Sequence, residues 1–423
     1  MKILQRLTQN TFLRHNTVLF FGSLAVGGLN YLYYPVVGRL LSAAAFGEVQ
    51  TLVSLFLQIG IFLTVFSQVT VNISANYDDV KQRNTIIYEL EKVATLLGLF
   101  FLGLVIVGGP WLKHFFQFGE VWPFIILGAG VVLSVPFTLR NAFLRGRQQF
   151  GAAAASNLVV AGGKLLLSLG LVLAGLGTSG AIGGVAAAQL IALWYINPRA
   201  RRAGLTPPHQ QHWRKLPDVR TLLPELKYAG LVLISSLLVM LQFSIDIIVV
   251  KHYFDARTAG LYAGVAAVAR IIFFVNGSIS QVLMSSVRLH QPAAKNRQLL
   301  LRSQLLLAGI SLPVLAVLGL FPKFAISLLM GHGYTTYAAL LPLLAFTIFV
   351  ITNIHLLVSY NMALRRYEVA VVAAMGAAIT YGLLLSHHHS LQAVVSNLFY
   401  GSVAMLALFV PLSAIRARKQ ESI

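Results

Sequence analysis

Apolar residues run through the chain in long blocks, and the polar residues fall mostly in the short gaps between them. Twelve blocks are each long enough to cross a bilayer: 16–40, 47–74, 92–112, 121–140, 150–174, 178–197, 228–250, 258–287, 299–320, 334–360, 367–386 and 391–413. A spanning helix needs about 20 mostly apolar residues. A bilayer core admits only structures that satisfy their own backbone hydrogen bonds, which means helices or closed barrels. The pattern predicts an all-α integral membrane protein with twelve transmembrane helices.

Composition agrees with the pattern. Hydrophobic residues make up 57% of the 423 and charged residues 10%, against roughly 25% charged in soluble domains. The chain has no cysteine, which excludes disulfides and thiolate metal sites. No cofactor is expected.

The net charge of +20 would suit a nucleic-acid binder, but its placement argues otherwise. With the N-terminus inside, 25 of the 32 Lys and Arg fall on the cytoplasmic side, and Arg39, Lys113, Lys251, Arg257 and Lys323 on the other. Cytoplasmic loops of membrane proteins carry such an excess. Both termini are therefore expected in the cytoplasm, the protein in the cytoplasmic (inner) membrane, and no nucleic acid as a partner. The basic loops would meet anionic lipid headgroups. The first apolar block is longer than the roughly 7–15 residues of a signal peptide's apolar region, so no cleaved leader is expected. Met1–His15 reads either as a short interfacial helix or as a frayed basic end.

Residues 198–226 form the one long polar segment, with Pro198, Pro207, Pro208, Pro217 and Pro224. This linker divides the chain into a lobe at 1–197 and a lobe at 227–423, each with six blocks. A weak repeat supports the division. Arg39-Leu-Leu-Ser-Ala-Ala-Ala-Phe-Gly47 has a counterpart in His252-Tyr-Phe-Asp-Ala-Arg-Thr-Ala-Gly260, and Asn141-Ala-Phe-Leu-Arg145 in Asn361-Met-Ala-Leu-Arg365. Two halves in the same orientation form a parallel repeat, in which substrate sites usually lie between the halves. That favours a transporter.

Several of these residues carry a resemblance. Asn30, Gly38-Arg39-Leu40-Leu41 and Phe46-Gly47, within Asn16 to Phe56, resemble the opening of the polysaccharide biosynthesis proteins. These are oligosaccharide flippases of the multidrug/oligosaccharidyl-lipid/polysaccharide superfamily. Asp246-Ile-Ile-Val-Val-Lys251 followed by Ala259-Gly260-Leu261-Tyr262-Ala263 resembles the start of the family's second half. The resemblance implies two helical bundles of the MATE-like fold, a central cavity, and alternating access. It also implies a polyprenyl-pyrophosphate-linked glycan as substrate, other polysaccharide-assembly proteins as partners, and a monomeric functional unit.

Ionisable groups at bilayer depth are costly and face a cavity or a partner. Lys164 lies mid-span on a stripe with Asn157, Ala161 and Ser168. It is a candidate ligand for a diphosphate, or else it snorkels or pairs with Asp246. Arg270 also lies mid-span, where its fork could hold phosphate oxygens or pair structurally. Arg39, near the outer surface, either guards the exit or anchors its helix. Asp246 is the one carboxylate a full turn inside a span. It reads as the counter-ion of Arg270 or Lys164 more readily than as a proton or sodium site. Gln58, Gln68 and Asn72, with Gln242, Gln281 and His355, are polar candidates for a sugar-binding wall, although amides and hydroxyls more often join helices together. The triplet His387-His388-His389 lacks a carboxylate to complete a metal site.

The leading expectation is a flippase for an anionic, lipid-linked glycan rather than an enzyme. A cation-coupled multidrug-type exporter is the first alternative, but a cationic drug calls for cavity carboxylates, and only Asp246 is available. A membrane-embedded polymerase or glycosyltransferase is the second. Its catalytic acids would have to come from Glu48, Glu120 and Asp255, in or beside the outside loops.

Overall fold

A computed structural model describes residues 11–207, 219–287 and 291–420. Side chains are described from 22 onward in the first stretch and between 230 and 409 in the others, except those of Val232, Gln281 and Ser285. Every regular element among the described residues is helical. In chain order these are α1 (Thr11–Leu40), α2 (Ala43–Asn76), α3 (Val80–Phe115), α4 (Trp122–Gly146), α5 (Phe150–Leu171), α6 (Gly177–Arg202) and α7 (Val219–Tyr253). Then follow α8 (Ala256–Ala269), α9 (Ile271–Ser286), α10 (Ala293–Leu320), α11 (Pro322–Leu329), a 3-10 segment at His332–Leu340, α12 (Leu341–Ala363), α13 (Glu368–Ser386) and α14 (Leu391–Gln420).

Nine helices among the described residues are long and apolar enough to cross a membrane. They become ten if α8 and α9, bent by 42° at Arg270, count as one span. One of the nine is the whole run Phe150–Arg202, which the chain folds back on itself. The reversal is at Gly175 and Gly177, both with positive φ, a conformation that glycine adopts without steric cost. After the turn α6 packs antiparallel to α5. The Ser168 hydroxyl donates to the Ala181 carbonyl at 2.7 Å, and an added Cβ at Gly163 would sit 3.5 Å from that of Ala188. This matches the gap expected between 174 and 178.

Helices overrun the apolar blocks where the blocks end in charge. Helix α6 continues through Pro198 to Arg202, and α7 begins at Val219. Only the apolar part of a helix is bounded by bilayer thickness, and polar turns extend it into the headgroups. Of the linker expected at 198–226, residues 208–218 lie outside the described residues. Its start is fixed: the Asn84 amide donates to the carbonyls of Gly204 at 2.8 Å and Thr206 at 3.3 Å.

The chain forms two compact units. Unit 1 takes the residues up to Tyr33, Ile59–His114 and Gly119–Leu233, and unit 2 takes Tyr34–Gln58, Phe115–Phe118 and Ile234 onward. In unit 1, one core cluster gathers Ile73, Ile87, Phe143, Leu144 and Ile196 from α2, α3, α4 and α6.

In unit 2, the segment 34–58 is held by contacts at the repeat strings. The Tyr334 hydroxyl donates to the Gly38 carbonyl at 3.0 Å. Helix α2 starts behind Ser42, whose hydroxyl accepts from the Ala45 N–H at 3.3 Å. Helix α8 starts behind the repeat-equivalent Asp255, whose carboxylate accepts from the N–H groups of Arg257 and Thr258 at 3.0 Å. These are N-caps, which satisfy donors that a helix start leaves unpaired. A few residues on, the equivalent glycines of the two strings meet. A Cβ on Gly47 would come within 2.9 Å of the Gly260 Cα, and one on Gly260 would overlap the Ala43 carbonyl.

Candidate functional site

Each unit contains one of the two intramembrane cations, and their surroundings differ. In unit 1, α5 carries Lys164 toward α1. Its ammonium donates to the Asn30 side-chain oxygen at 2.6 Å and lies 4.5 Å from the centroid of the Tyr33 ring. Tyr33 is itself fixed, its hydroxyl donating to the Ala181 carbonyl at 3.3 Å. An amide oxygen and a ring face both attract a cation without cancelling its charge. No carboxylate is within ion-pair distance of Lys164 among the described residues, and the lysine is only partly buried. It pairs with Asn30 and not with Asp246.

Two turns toward the start of α5, Asn157 accepts from the Asn141 amide at 3.2 Å. Asn141 also donates to the Ser156 hydroxyl and the Ala153 carbonyl, both at 3.0 Å. The expected stripe thus divides: Asn157 joins α5 to α4, Lys164 faces α1, and Ser168 faces α6. Farther along α4, Arg145 donates to the Ser67 hydroxyl on α2 at 2.7 Å.

In unit 2, Arg270 occupies the bend between α8 and α9. Its guanidinium donates to an Asp246 carboxylate oxygen at 2.7 Å and to the Phe243 carbonyl at 3.1 Å. The other Asp246 oxygen accepts from the Tyr262 hydroxyl at 2.8 Å. Arg270 is 3% exposed and Asp246 0%, so the ion pair is closed to solvent. Asp246 is the counter-ion of Arg270, and Tyr262, quoted above only for its motif position, completes the group. Both bonds are made by Nη2, and the buried Nε has no hydrogen-bond partner among the described residues, so what Arg270 lacks is an uncompensated charge and access rather than donors.

The remaining candidates divide similarly. Arg39 donates through Nε to the Leu329 carbonyl at 3.0 Å and through Nη2 to the Leu328 carbonyl. It thereby caps the carbonyl end of α11, while its side chain stays exposed. Gln242 is fully buried and donates to the hydroxyls of Thr380 on α13 and Ser402 on α14, both at 2.9 Å. Gln58 donates to the Ser244 hydroxyl at 2.9 Å, and His355 lies 3.2 Å from the Ser280 hydroxyl. These three join helices. Gln68 and Asn72 are half-buried on α2, and Asn72 accepts from the Asn76 amide at 2.6 Å. Gln281 lies outside the residues whose side chains are described.

Lys251 reads in the sequence as an outer-side charge, because it follows a hydrophobic run, and not as a buried group. It is 1% exposed, its ammonium 3.4 Å from the Gln117 carbonyl and 5.1 Å from the Phe118 ring centroid. Beside it His252 stacks on Phe115 with centroids 4.0 Å apart, so segment 115–118 is locked onto the end of α7. Among the described residues, no group of three or more His, Asp or Glu is placed to hold a metal ion.

Comparison with solved structures places this architecture. A multidrug-resistance MATE-family transporter of the MOP superfamily in an inward-facing conformation is similar at a TM-score of 0.72 and 15% identity. The match covers 95% of this chain and 99% of that one. A MATE transporter of Vibrio cholerae in a bent form gives 0.65 at 16% identity, with 96% of each chain covered. A MOP-superfamily transporter of Pyrococcus furiosus, described as having a binding pocket of reversed polarity that suggests a different function, gives 0.65 at 15% identity, again with 96% of each. The protein has the MATE fold and is a multi-pass membrane protein. No curated protein sequence matches the chain. The profile of one sequence family does match, over residues 36–339, and it includes the Gly38–Gly47 string, Lys164, the Asp246–Arg270 pair and the Gly-x-Tyr string. The chain belongs to the polysaccharide biosynthesis protein family.

Proposed function

We propose that this protein is a flippase carrying a polyprenyl-diphosphate-linked oligosaccharide across the cytoplasmic membrane. It would work as a monomer, by alternating access between two six-span lobes, 1–197 and 227–423, with both termini in the cytoplasm. The supporting observation is the state of Lys164, a partly accessible cation at membrane depth held by an amide and a ring face rather than by a carboxylate. Such a group has no carboxylate beside it to compete with a diphosphate. The family supports a role in polysaccharide assembly.

The multidrug-resistance transporters of the same fold suggest drug export instead, and a cationic drug is the cargo that would suit a cavity carboxylate. That role calls for a carboxylate free to meet the cargo, and Asp246 is already bound by Arg270 and Tyr262. The Pyrococcus furiosus protein indicates that pocket polarity can be reversed on this fold. An enzymatic reading has little to work with, since Asp255 is used as a helix cap.

Reconstitution into liposomes with a fluorescent polyprenyl-diphosphate oligosaccharide tests the proposal. Wild-type protein is expected to move the lipid between leaflets, and Lys164→Gln to slow it about tenfold. Export of a cationic dye without movement of the lipid would overturn it.

A further inference from the structure

We infer that unit 1 holds a second phosphate-binding station, at Arg145, which receives the diphosphate before Lys164 does. This rests on the reading above of the substrate as diphosphate-linked. Arg145 is a cation with no counter-ion among the described residues. One guanidinium nitrogen donates to the Ser67 hydroxyl at 2.7 Å. Its Nε is buried with no hydrogen-bond partner among the described residues. The side chain as a whole is only partly buried. No carboxylate lies within ion-pair distance among those residues, whereas Arg140, five residues earlier on the same helix, is paired to Glu91 at 2.9 Å. A buried donor left unsatisfied is costly, and an anion accepting from Nε and a free terminal nitrogen would remove that cost.

Both cations belong to unit 1, Arg145 facing Ser67 of α2 and Lys164 facing Asn30 of α1. Asn141 and Asn157 touch at 3.2 Å and so mark one level on α4 and α5. Arg145 lies four residues along α4 from that level and Lys164 seven along α5, in opposite directions because the helices run antiparallel. At 1.5 Å per residue the two cations are about 16 Å apart along the axis. A diphosphate, two phosphates joined by one oxygen, is too short to reach both. The spacing therefore suits two successive positions along unit 1. Arg145 lies at the end of α4, near the inner face that the charge distribution assigns to the cytoplasm, and so belongs to the loading side.

Oriented proteoliposomes test the order. With substrate supplied on the face bearing the termini, Arg145→Gln is expected to raise the half-saturating concentration about tenfold and leave the maximal rate unchanged. Supplied on the opposite face, substrate should show no such shift, and Arg145→Lys should restore part of the loss. A residue that only propped α4 against α2 would instead lower the melting temperature and the maximal rate from both faces, and that result would overturn the assignment. So would a shift seen in vesicles containing phosphatidylglycerol but not in pure phosphatidylcholine, which would make the ligand a lipid headgroup. If the wild-type protein moves no diphosphate-linked lipid, the functional reading itself fails. Calorimetric titration of the solubilised protein with farnesyl diphosphate then still decides the station: binding must weaken in Arg145→Gln, and equal binding would refute it.

Discussion

Lys164 in unit 1 and Arg270 in unit 2 are each a lone cation in an apolar helix, and their nearest partners are equally close, at 2.6 and 2.7 Å. The partner of the lysine is an amide oxygen, and that of the arginine is a carboxylate. In a medium of low dielectric this difference dominates. A full counter-charge at that distance cancels most of the field a visiting anion would feel, while a dipole trims it only slightly. The arginine's charge is therefore balanced within the fold, and the lysine's has no carboxylate beside it among the described residues. Depth in the membrane alone does not make a charge functional.

The comparison is broken most severely by removing the counter-charge. Asp246→Asn leaves Arg270 buried without it, a change that costs about 3–5 kcal/mol in such settings. Thermal unfolding in detergent should show a large fall in melting temperature. The double variant Asp246→Asn/Arg270→Gln should recover much of it, because the two groups act as a unit. An unchanged melting temperature in the single variant would mean the pair is not holding the bend between α8 and α9.

Reversing the free cation comes next. Lys164→Glu should reduce lipid transport by about a hundredfold, two tenfold steps of binding energy, while the melting temperature changes little. Transport at the wild-type rate would remove Lys164 from the site.

Asn30→Asp sharpens the contrast by giving Lys164 the partner that Arg270 has. Stability should hold or rise, and transport should fall about tenfold as the charge is neutralised. A faster transporter would show that the lysine acts by something other than its charge.

The smallest effect is expected at a carboxylate in water. Hydrogen bonds from Thr258, side chain first and then backbone, hold the Asp255 carboxyl below the usual carboxylate range. Its contribution is thus fully present above the ordinary carboxylate pKa and is lost as pH falls through the lowered value. Asp255→Ser should flatten that slight acid dependence of the melting curve, since Ser42 caps the equivalent helix without a charge. A dependence that survives the substitution would have to come from another group.

The membrane helices could be read from the sequence because a bilayer imposes a length on every apolar block, and the reversal at 175–177 is a polar-poor gap with glycines. Helix ends were less legible. Nothing in hydropathy says whether the charged turns beyond a span stay helical, and in α6 they do, through Pro198. The Asp246–Arg270 pair could be proposed because a buried carboxylate needs a cation and few exist. The Asn30 partner of Lys164 could not, since no periodicity links residues on α1 and α5. Arg145 was hidden differently. At the inner end of a span it counts as an orientation signal, and that role is already satisfied by its neighbours. The amides Gln58 and Gln242 look alike as sequence and differ in burial, which depends on neighbours that only the fold supplies.

The meeting of Gly47 with Gly260 has a consequence for how the two halves can change over time. Each occupies the same place in its own repeat, and each rests against the backbone of the other string. A methyl group on Gly47 must be absorbed by the Gly260 backbone, and one on Gly260 by the Ala43 carbonyl at the start of the same helix as Gly47, so neither half can drift at this position alone. Comparison of related chains should find the two sites covarying as a pair of small residues even where the flanking strings have lost all likeness to each other.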